Sequence, residues 1–421
     1  MSEQRQNWAG NYTYQARGIQ YPESIEELQE LVVKSDKLKA LGSRHSFNDI
    51  ADTSSQQVSL SKLNIETSFD RERKQVTFGA GLTYGQLCPL IEAQGFALHN
   101  LASLPHISVV GSVATATHGS GDNNGNLAVG VTAIEFVSGT GELVSLSREG
   151  NPDIFNGVVV HLGALGIITK MTLELQPSFS VQQDVYDRLP LSELYANFDA
   201  IESSAYSVSL FSDWHPDYVK QVWLKHRLSS SEGQPIEPTF YGATLAQQQR
   251  HPVDDAAAVS VTPQRGIPGP WHERLPHFRI DQTPSVGAEI QSEYFVPRKY
   301  AVEAYKAINA LGEQIRPVLL ISEIRTVAAD NLWMSTAYQQ PMVGFHFTWK
   351  RDWDGVKARL PLIEAALEPF ECRPHWGKTF TMAPERIRSF YPKLGDFLAL
   401  CQRFDPQGKF RNAYLDKVLF S

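Results

Sequence analysis

The stretch from Leu101 to Gly121, Leu-Ala-Ser-Leu-Pro-His-Ile-Ser-Val-Val-Gly-Ser-Val-Ala-Thr-Ala-Thr-His-Gly-Ser-Gly, constrains the rest of the chain most. It alternates small residues with hydroxyls, is interrupted by Pro105, and carries no acidic side chain before Asp122. Small side chains leave backbone amides uncovered, so such a segment lets the main chain approach a bulky ligand and turn N–H groups toward phosphate oxygens. It reads as a cradle for a dinucleotide. From Val109 to Ala116 it opens a helix, with Ser108 as the cap and Gly111-Ser112 at the positive end of the dipole, where a pyrophosphate sits well. Glycine patterns are common, so taken alone the stretch reads first as a plain loop between two sheets.

A second stretch shifts that balance. Ser24 with Glu27 marks a capping box before a short helix carrying Ile25, Leu28, Leu31 and Val32, and Lys37 to Leu41 then alternates as a strand. The strand runs into Gly42-Ser43-Arg44-His45-Ser46-Phe47-Asn48, a polar turn that sets a histidine among small donors. Strands are expected at Gln57 to Leu60 and Gln75 to Ala80, and a helix over Tyr84 to Ala93 ended by Gly95. Gly139-Thr140-Gly141 between Thr132–Val137 and Glu142–Leu146 predicts a hairpin. Leu162 to Gly166 is again glycine-rich, Ile167 to Leu175 is a strand, and Pro177 marks a boundary. Beyond it, strands over 206–211, 221–225 and 289–296 are separated by longer helical segments. Leu228 to Pro284 has no clear period and is either a lid or surface loops. Arg298 to Leu311 is expected as a helix ended by Gly312.

Composition excludes whole classes of partner. The chain has 421 residues, 46 acidic against 38 basic, and a formal charge of −8, which leaves no footprint for nucleic acid or an anionic membrane. Its three cysteines, Cys88, Cys372 and Cys401, are far apart and lack metal-ligand spacing, so neither disulfides nor a metal site is expected. With no apolar run long enough to span a bilayer, a soluble cytoplasmic monomer acting on small molecules is expected.

Residues two apart in a strand share a face, so Glu323 and Arg325 point together within Val318–Val327, and His346 and Thr348 within Met342–Trp349. Such an alternation is either an ordinary solvated face or a polar wall projecting from an apolar sheet. Arg373-Pro374-His375-Trp376-Gly377-Lys378 adds an imidazole, an indole and an amine in a turn. His99, His161, His215, His226, His251, His272 and His277 form no ligand set and read as structural or surface residues. Trp271-His272-Glu273-Arg274 reads as either a pocket mouth or a surface turn.

Taken together, Gly42 to Asn48, Ala102-Ser103-Leu104-Pro105-His106, Thr117-His118-Gly119-Ser120, Glu323-Ile324-Arg325, His346-Phe347-Thr348 and His375-Trp376-Gly377-Lys378 resemble the bacterial alditol oxidases. These are xylitol- or sorbitol-oxidising flavoenzymes of the vanillyl-alcohol oxidase superfamily, and the resemblance covers nearly the whole chain. It implies an α+β fold: an FAD-binding domain of the PCMH type from residues 1–178 with a return at 380–421, and an antiparallel-sheet substrate domain at 179–379. It implies FAD contacts at Leu41, Gly42, Ser43, Arg44, His45, Ser46, Phe47, Ser103, Ser108, Gly111, Ser112, Val113, Ala114, His118, Ile167 and His375. His45 stands where the family bonds a ring nitrogen to the 8α-methyl of the flavin, and His106 is expected to support the cofactor with His118. Arg44 is bulkier than the small residue expected in that turn.

The resemblance also assigns the chemistry. Arg325 and Lys378 would surround the C1 hydroxyl as catalytic residues, Lys378 as proton acceptor or both as oxyanion stabilisers. Ser103, Glu323, His346 and Thr348 would bind the remaining hydroxyls of a linear polyol. Dioxygen would reoxidise the flavin, giving hydrogen peroxide. Two alternatives remain open: an aldonolactone oxidase or dehydrogenase of the same superfamily, and a flavin-binding protein without turnover.

Overall fold

The hydroxyl of Ser24 accepts from the Glu27 N–H (3.1 Å), while the Glu27 carboxylate accepts from the N–H of Glu23 (2.8 Å). The expected capping box therefore closes one residue early, and its helix, α1, runs over Ile25–Lys34. The computed structural model describes residues 5–229, 232–254, 256–282 and 289–420. Leu28 and Val32 of α1 are buried against a small parallel sheet made of β1 (Gly18–Gln20), β2 (Leu38–Ala40) and β3 (Gln56–Val58), in the order β1-β3-β2.

A second, antiparallel sheet of five strands follows among the described residues. It contains β4 (Ser68–Asp70), β5 (Gln75–Gly79), β6 (Val131–Ser138), β7 (Leu143–Ser147) and β8 (Gly166–Glu174), ordered β4-β5-β8-β6-β7. The hairpin expected around Gly139-Thr140-Gly141 joins β6 to β7. Between β5 and β6 lie α2 (Tyr84–Ala93), after which Gly95 takes a left-handed φ of 78°, and α3 (Val109–Ala114). Helix α3 stops two residues short of expectation because Ala116 turns left-handed (φ 53°). Helix α4 (Pro152–Val158) precedes β8.

The chain leaves this sheet near Pro177 and enters a ten-stranded one among the described residues, antiparallel at every pairing. Its long strands are β9 (Ser180–Pro190), β10 (Ser207–Ser212), β11 (Tyr218–Arg227), β12 (Glu289–Pro297), β13 (Leu319–Val327) and β14 (Met342–Lys350), ordered β9-β11-β10-β13-β14-β12. Helix α5 (Leu191–Glu202) connects β9 to β10, α6 (Ala301–Asn309) lies between β12 and β13, and α7 (Trp353–Ala366) follows β14. Tyr294, Ile324, Phe345, Phe347 and Trp349 share one face of this sheet and are buried in the main core with residues of α5 to α7. The other face of its centre is the polar one.

Two expectations change. Gly312 does not end the 298–311 helix; it starts a further turn, Gly312–Ile315, where a Cβ would come within 2.6 Å of the Trp214 carbonyl. Glycine is there for close approach. The described part of the 228–284 segment is built into the fold and is not plain surface loop. Ala243–Leu245 and Gly269–Pro270 pair with β9, and His251 to Val253 with His277 and Phe278 reach the central cavity. Pro284 lies outside the described residues.

Helix α8 (Leu394–Phe404) brings the chain back to the first sheets. Gly139 N–H donates to the Phe404 carbonyl (2.8 Å), Leu38 N–H to that of Lys409 (3.0 Å), and the Asn412 amide to the carbonyls of Asp49, Ile50 and Asp52 (3.0, 3.1 and 2.8 Å). No helix among the described residues is long and apolar enough to cross a membrane.

Candidate active site

A cavity of about 430 Å³ runs from the parallel sheet to the polar face of the large one. Its first half is built by close backbone approach. A Cβ on Gly42 or on Gly111 would lie 2.5 Å from the Ser108 hydroxyl, so a side chain at either position would have to turn that hydroxyl away. Ser108 occupies the N-cap of α3, yet its hydroxyl makes no capping bond; it faces Ser43, whose own hydroxyl accepts from the Ser108 N–H (2.9 Å). The two glycine-serine segments are thus stitched together along the cavity. Leu41, Ser46, Phe47, Ser112, Ala114 and Ile167 also line it, as do Lys39, Leu162 and Gly163 from neighbouring segments. Val113 does not: it is packed in the apolar core, because on a one-turn helix it points away from its neighbours Ser112 and Ala114.

Arg44 lines the cavity with a left-handed φ of 62°, and its carbonyl accepts from the Trp8 N–H (2.8 Å). The strained turn presents His45. Its ring is partly exposed to the cavity, both nitrogens are shielded and without a hydrogen-bond partner, and Trp8 stacks on it at 5.0 Å and 20°. Burial, reinforced by the charge of Lys378, pushes the imidazole down to about 4, so it is neutral near pH 7. Two orphaned ring nitrogens beside a cradle that a single Cβ would obstruct fit FAD, whose ring system fills apolar space and whose pyrophosphate takes amide donors. The chemistry of these residues suits that group.

The second half is a polar wall on three neighbouring strands. Register pairs Glu323 with His346 and Arg325 with Gly344 across β13 and β14, and Glu293 with His346 and Gln291 with Thr348 across β12 and β14. All these polar side chains are buried, so the face is not a solvated one. Arg325 donates to Glu293 (2.8 Å), approaches Glu323 (3.5 Å) and reaches the Ser103 hydroxyl (3.5 Å). His118 stands 3.0 Å from Glu293 and 2.7 Å from the Gly119 carbonyl, so both ring nitrogens face acceptors. Burial alone would raise the Glu323 carboxyl, but Arg325 and His277 outweigh it and hold it well below the usual range; His118 and Arg325 do the same for Glu293.

Lys378 donates to the Gln291 amide oxygen, which also accepts from His346 (3.1 Å), and sits 4.7 Å from the Phe47 ring centroid. Its pKa falls to about 8. The direction expected from a neighbouring arginine is right, but burial is the larger cause, with Arg325 lowering further and Glu293 opposing. His375 accepts from the Gly377 N–H (3.0 Å) and is kept neutral by burial, down to about 3.

Several residues were misplaced or missed by sequence reasoning. His277, expected to be structural or exposed, lines the cavity and bonds Glu323 (2.7 Å). His161 and His251 line it too. His106 faces the Ile280 carbonyl (3.0 Å) and is not part of the lining, and Trp271–Arg274 is a helical turn outside the lining, with Glu273 exposed and Trp271 and Arg274 buried, whose indole donates to Glu92 (2.7 Å). Glu289, Gln291 and Glu293 escaped notice although their alternation in Glu-Ile-Gln-Ser-Glu is the same signal that exposed Glu323 and Arg325.

Comparisons with known proteins agree with this geometry. Residues 16–147 match a family model of an FAD-binding domain, and residues 287–418 match that of D-arabinono-1,4-lactone oxidase. An alditol oxidase from Streptomyces sp. (strain IKD472 / FERM P-14339) is 44% identical, with both chains covered in full. An L-gulonolactone oxidase of Mus musculus is 26% identical over 99% of this chain and 98% of its own. Among solved structures, cholesterol oxidase from B. sterolicum superposes with a TM-score of 0.77 at 14% identity, covering 98% of this chain and 96% of that one, a likeness of fold. The chain belongs to the alditol oxidase family, FAD-dependent oxidoreductases of the vanillyl-alcohol oxidase superfamily.

Proposed function

We propose that the protein oxidises the C1 hydroxyl of linear alditols such as xylitol and sorbitol to the aldose, with dioxygen reduced to hydrogen peroxide. The observation that carries this is the wall of buried charged and polar groups, Glu323, Arg325, His346, Thr348 and Lys378, facing the same cavity as His45. When bound, FAD supplies the acceptor for the two electrons and the carbinol hydrogen. The protein does the rest. Arg325, immobilised by Glu293, stabilises negative charge developing on the C1 oxygen, and Lys378 takes the hydroxyl proton in its neutral form. Ser103 flanks that end, and Glu323, His346 and Thr348 pair with hydroxyls further along the chain. An alcohol lacking those hydroxyls leaves buried polar groups unpaired and is discriminated against.

The His45 imidazole is proposed to carry FAD through its 8α carbon. Its neutrality and its two unpartnered nitrogens support this, since a free lone pair is what a nucleophile requires. The cofactor would extend past Leu41 to Phe47, Ser103, Ser108, Gly111, Ser112, Ala114, His118, Ile167 and His375. Residues 1–178 and 380–421 are proposed as the flavin-binding domain and 179–379 as the substrate domain. A cytoplasmic monomer is also proposed; three free, buried cysteines support a reducing compartment, and sedimentation tests the monomer.

The lactone oxidase match over residues 287–418 favours one other reading, oxidation of an aldonolactone. Peroxide production from a panel of alditols and γ-lactones separates the two. Turnover on xylitol or sorbitol is expected; turnover on γ-lactones alone would replace the proposal. Acid-precipitated wild type is expected to stay yellow and His45→Ala to lose its colour on washing, and a colourless wild-type precipitate removes the covalent bond.

A further inference from the structure

Behind Glu323 lies a buried pair that no part of the mechanism has used. Lys225 on β11 is fully enclosed and is not part of the cavity lining. Its ammonium contacts three acceptors: the Leu275 carbonyl, the Pro276 carbonyl (3.2 Å) and Nδ1 of His277 (3.1 Å). Three acceptors use all three of its N–H bonds. The ionised Glu323 carboxylate can only accept, so Nε2 of His277, which points at it at 2.7 Å, carries the ring proton and Nδ1 is left to accept from Lys225. The ring has no freedom to turn, because Phe211 and Trp223 meet it edge-on at 5.4 and 5.2 Å. Its backbone N–H donates to the Ser103 carbonyl (3.1 Å), joining the same residue to the cradle.

A lysine buried this deeply is costly where an apolar side chain of similar volume would pack, so scaffolding alone does not account for it. The charges do. Glu293 and Glu323 face Arg325 on the polar wall, and Lys225, which burial brings down to about 7 while Glu323 holds it up, adds partial positive charge behind the imidazole that bonds Glu323.

We infer that Lys225 and His277 are positioning residues for the substrate: Lys225 fixes the His277 tautomer, and His277 holds the Glu323 carboxylate ionised and aimed at the distal hydroxyls of a long polyol. The inference rests on the proposed alditol oxidation. It predicts that the pair governs selectivity for chain length and leaves the chemistry at C1 alone.

The test compares flavin-loaded wild type with His277→Leu, His277→Gln and Lys225→Met on sorbitol and on 1,2-propanediol, which lacks the distal hydroxyls. His277→Leu is expected to raise KM for sorbitol roughly tenfold or more, the loss of a hydrogen bond to a charged group, with kcat changed little. KM for 1,2-propanediol should stay within about threefold, since the diol never pairs with Glu323. Glutamine can accept from Lys225 and donate to Glu323, so His277→Gln should recover most of the sorbitol KM, and Lys225→Met should follow the leucine pattern. Should His277→Leu fail to retain flavin, the other two variants decide. Equal KM rises for both alcohols, no rise at all, or glutamine no better than leucine overturns the inference while leaving alditol oxidation standing. A wild type inert on every polyol overturns both.

Discussion

Lys378 is poised by opposing influences: burial and Arg325 push its pKa down to about 8, and Glu293 pulls the other way. As proton acceptor it must be neutral, so kcat/KM for xylitol should rise with pH through about 8 and level off above it. Lys378→Met should lower kcat by roughly 100-fold or more and abolish that inflection. A rate falling through the same pH would make the ammonium an electrostatic stabiliser instead. Arg325 and Glu323 were legible because charged residues interrupt an apolar strand at a spacing of two, and the lysine because it closes a turn with an imidazole and an indole. His277 was not, since it sits in a segment with no period and its contact with Glu323 spans 46 positions. Val113 was assigned to the cofactor with its neighbours, and only the three-dimensional course of one helical turn sends it to the core.

Elements were easier to read than their ends. The hairpin at Gly139-Thr140-Gly141, the strands at 318–327 and 342–349 and the helix over Tyr84–Ala93 follow from periodicity and turn chemistry, which are local. What periodicity lacks is the placement of the strand expected at 289–296: as β12 it lies beside β14 through long-range pairing that no short window contains. Gly121 shows how tightly the cradle is fitted to that wall. Its φ is 130°, its N–H donates to the Thr326 carbonyl (3.1 Å), and an added Cβ would collide with the Tyr206 carbonyl. Gly121→Ala should cost about 2 to 4 kcal/mol in denaturant unfolding and lower activity by displacing the cradle from β13. A variant with wild-type stability would show that this junction yields.

At the scale of the molecule, the buried imidazoles set the response to acid. His161, His277, His346 and His375 are held to about 3, 4, 3 and 3, in each case chiefly by burial. Their unfolded values are about 6.5. Between pH 6.5 and 4 the unfolded chain binds more protons than the folded one, so stability declines as pH falls through that window. The melting temperature should drop by roughly 5 °C or more from pH 7 to pH 5. A flat profile would mean that these rings accept protons in place.

The Asn412 amide, hooked to three carbonyls between Asp49 and Asp52, has a temporal meaning. On a ribosome, the turn that displays His45 emerges more than 350 residues before the amide that clamps the segment next to it. Until that late arrival, the nucleotide crevice has one wall unbuttressed. The attachment proposed at His45 would thus belong to the finished polypeptide, not to the growing one.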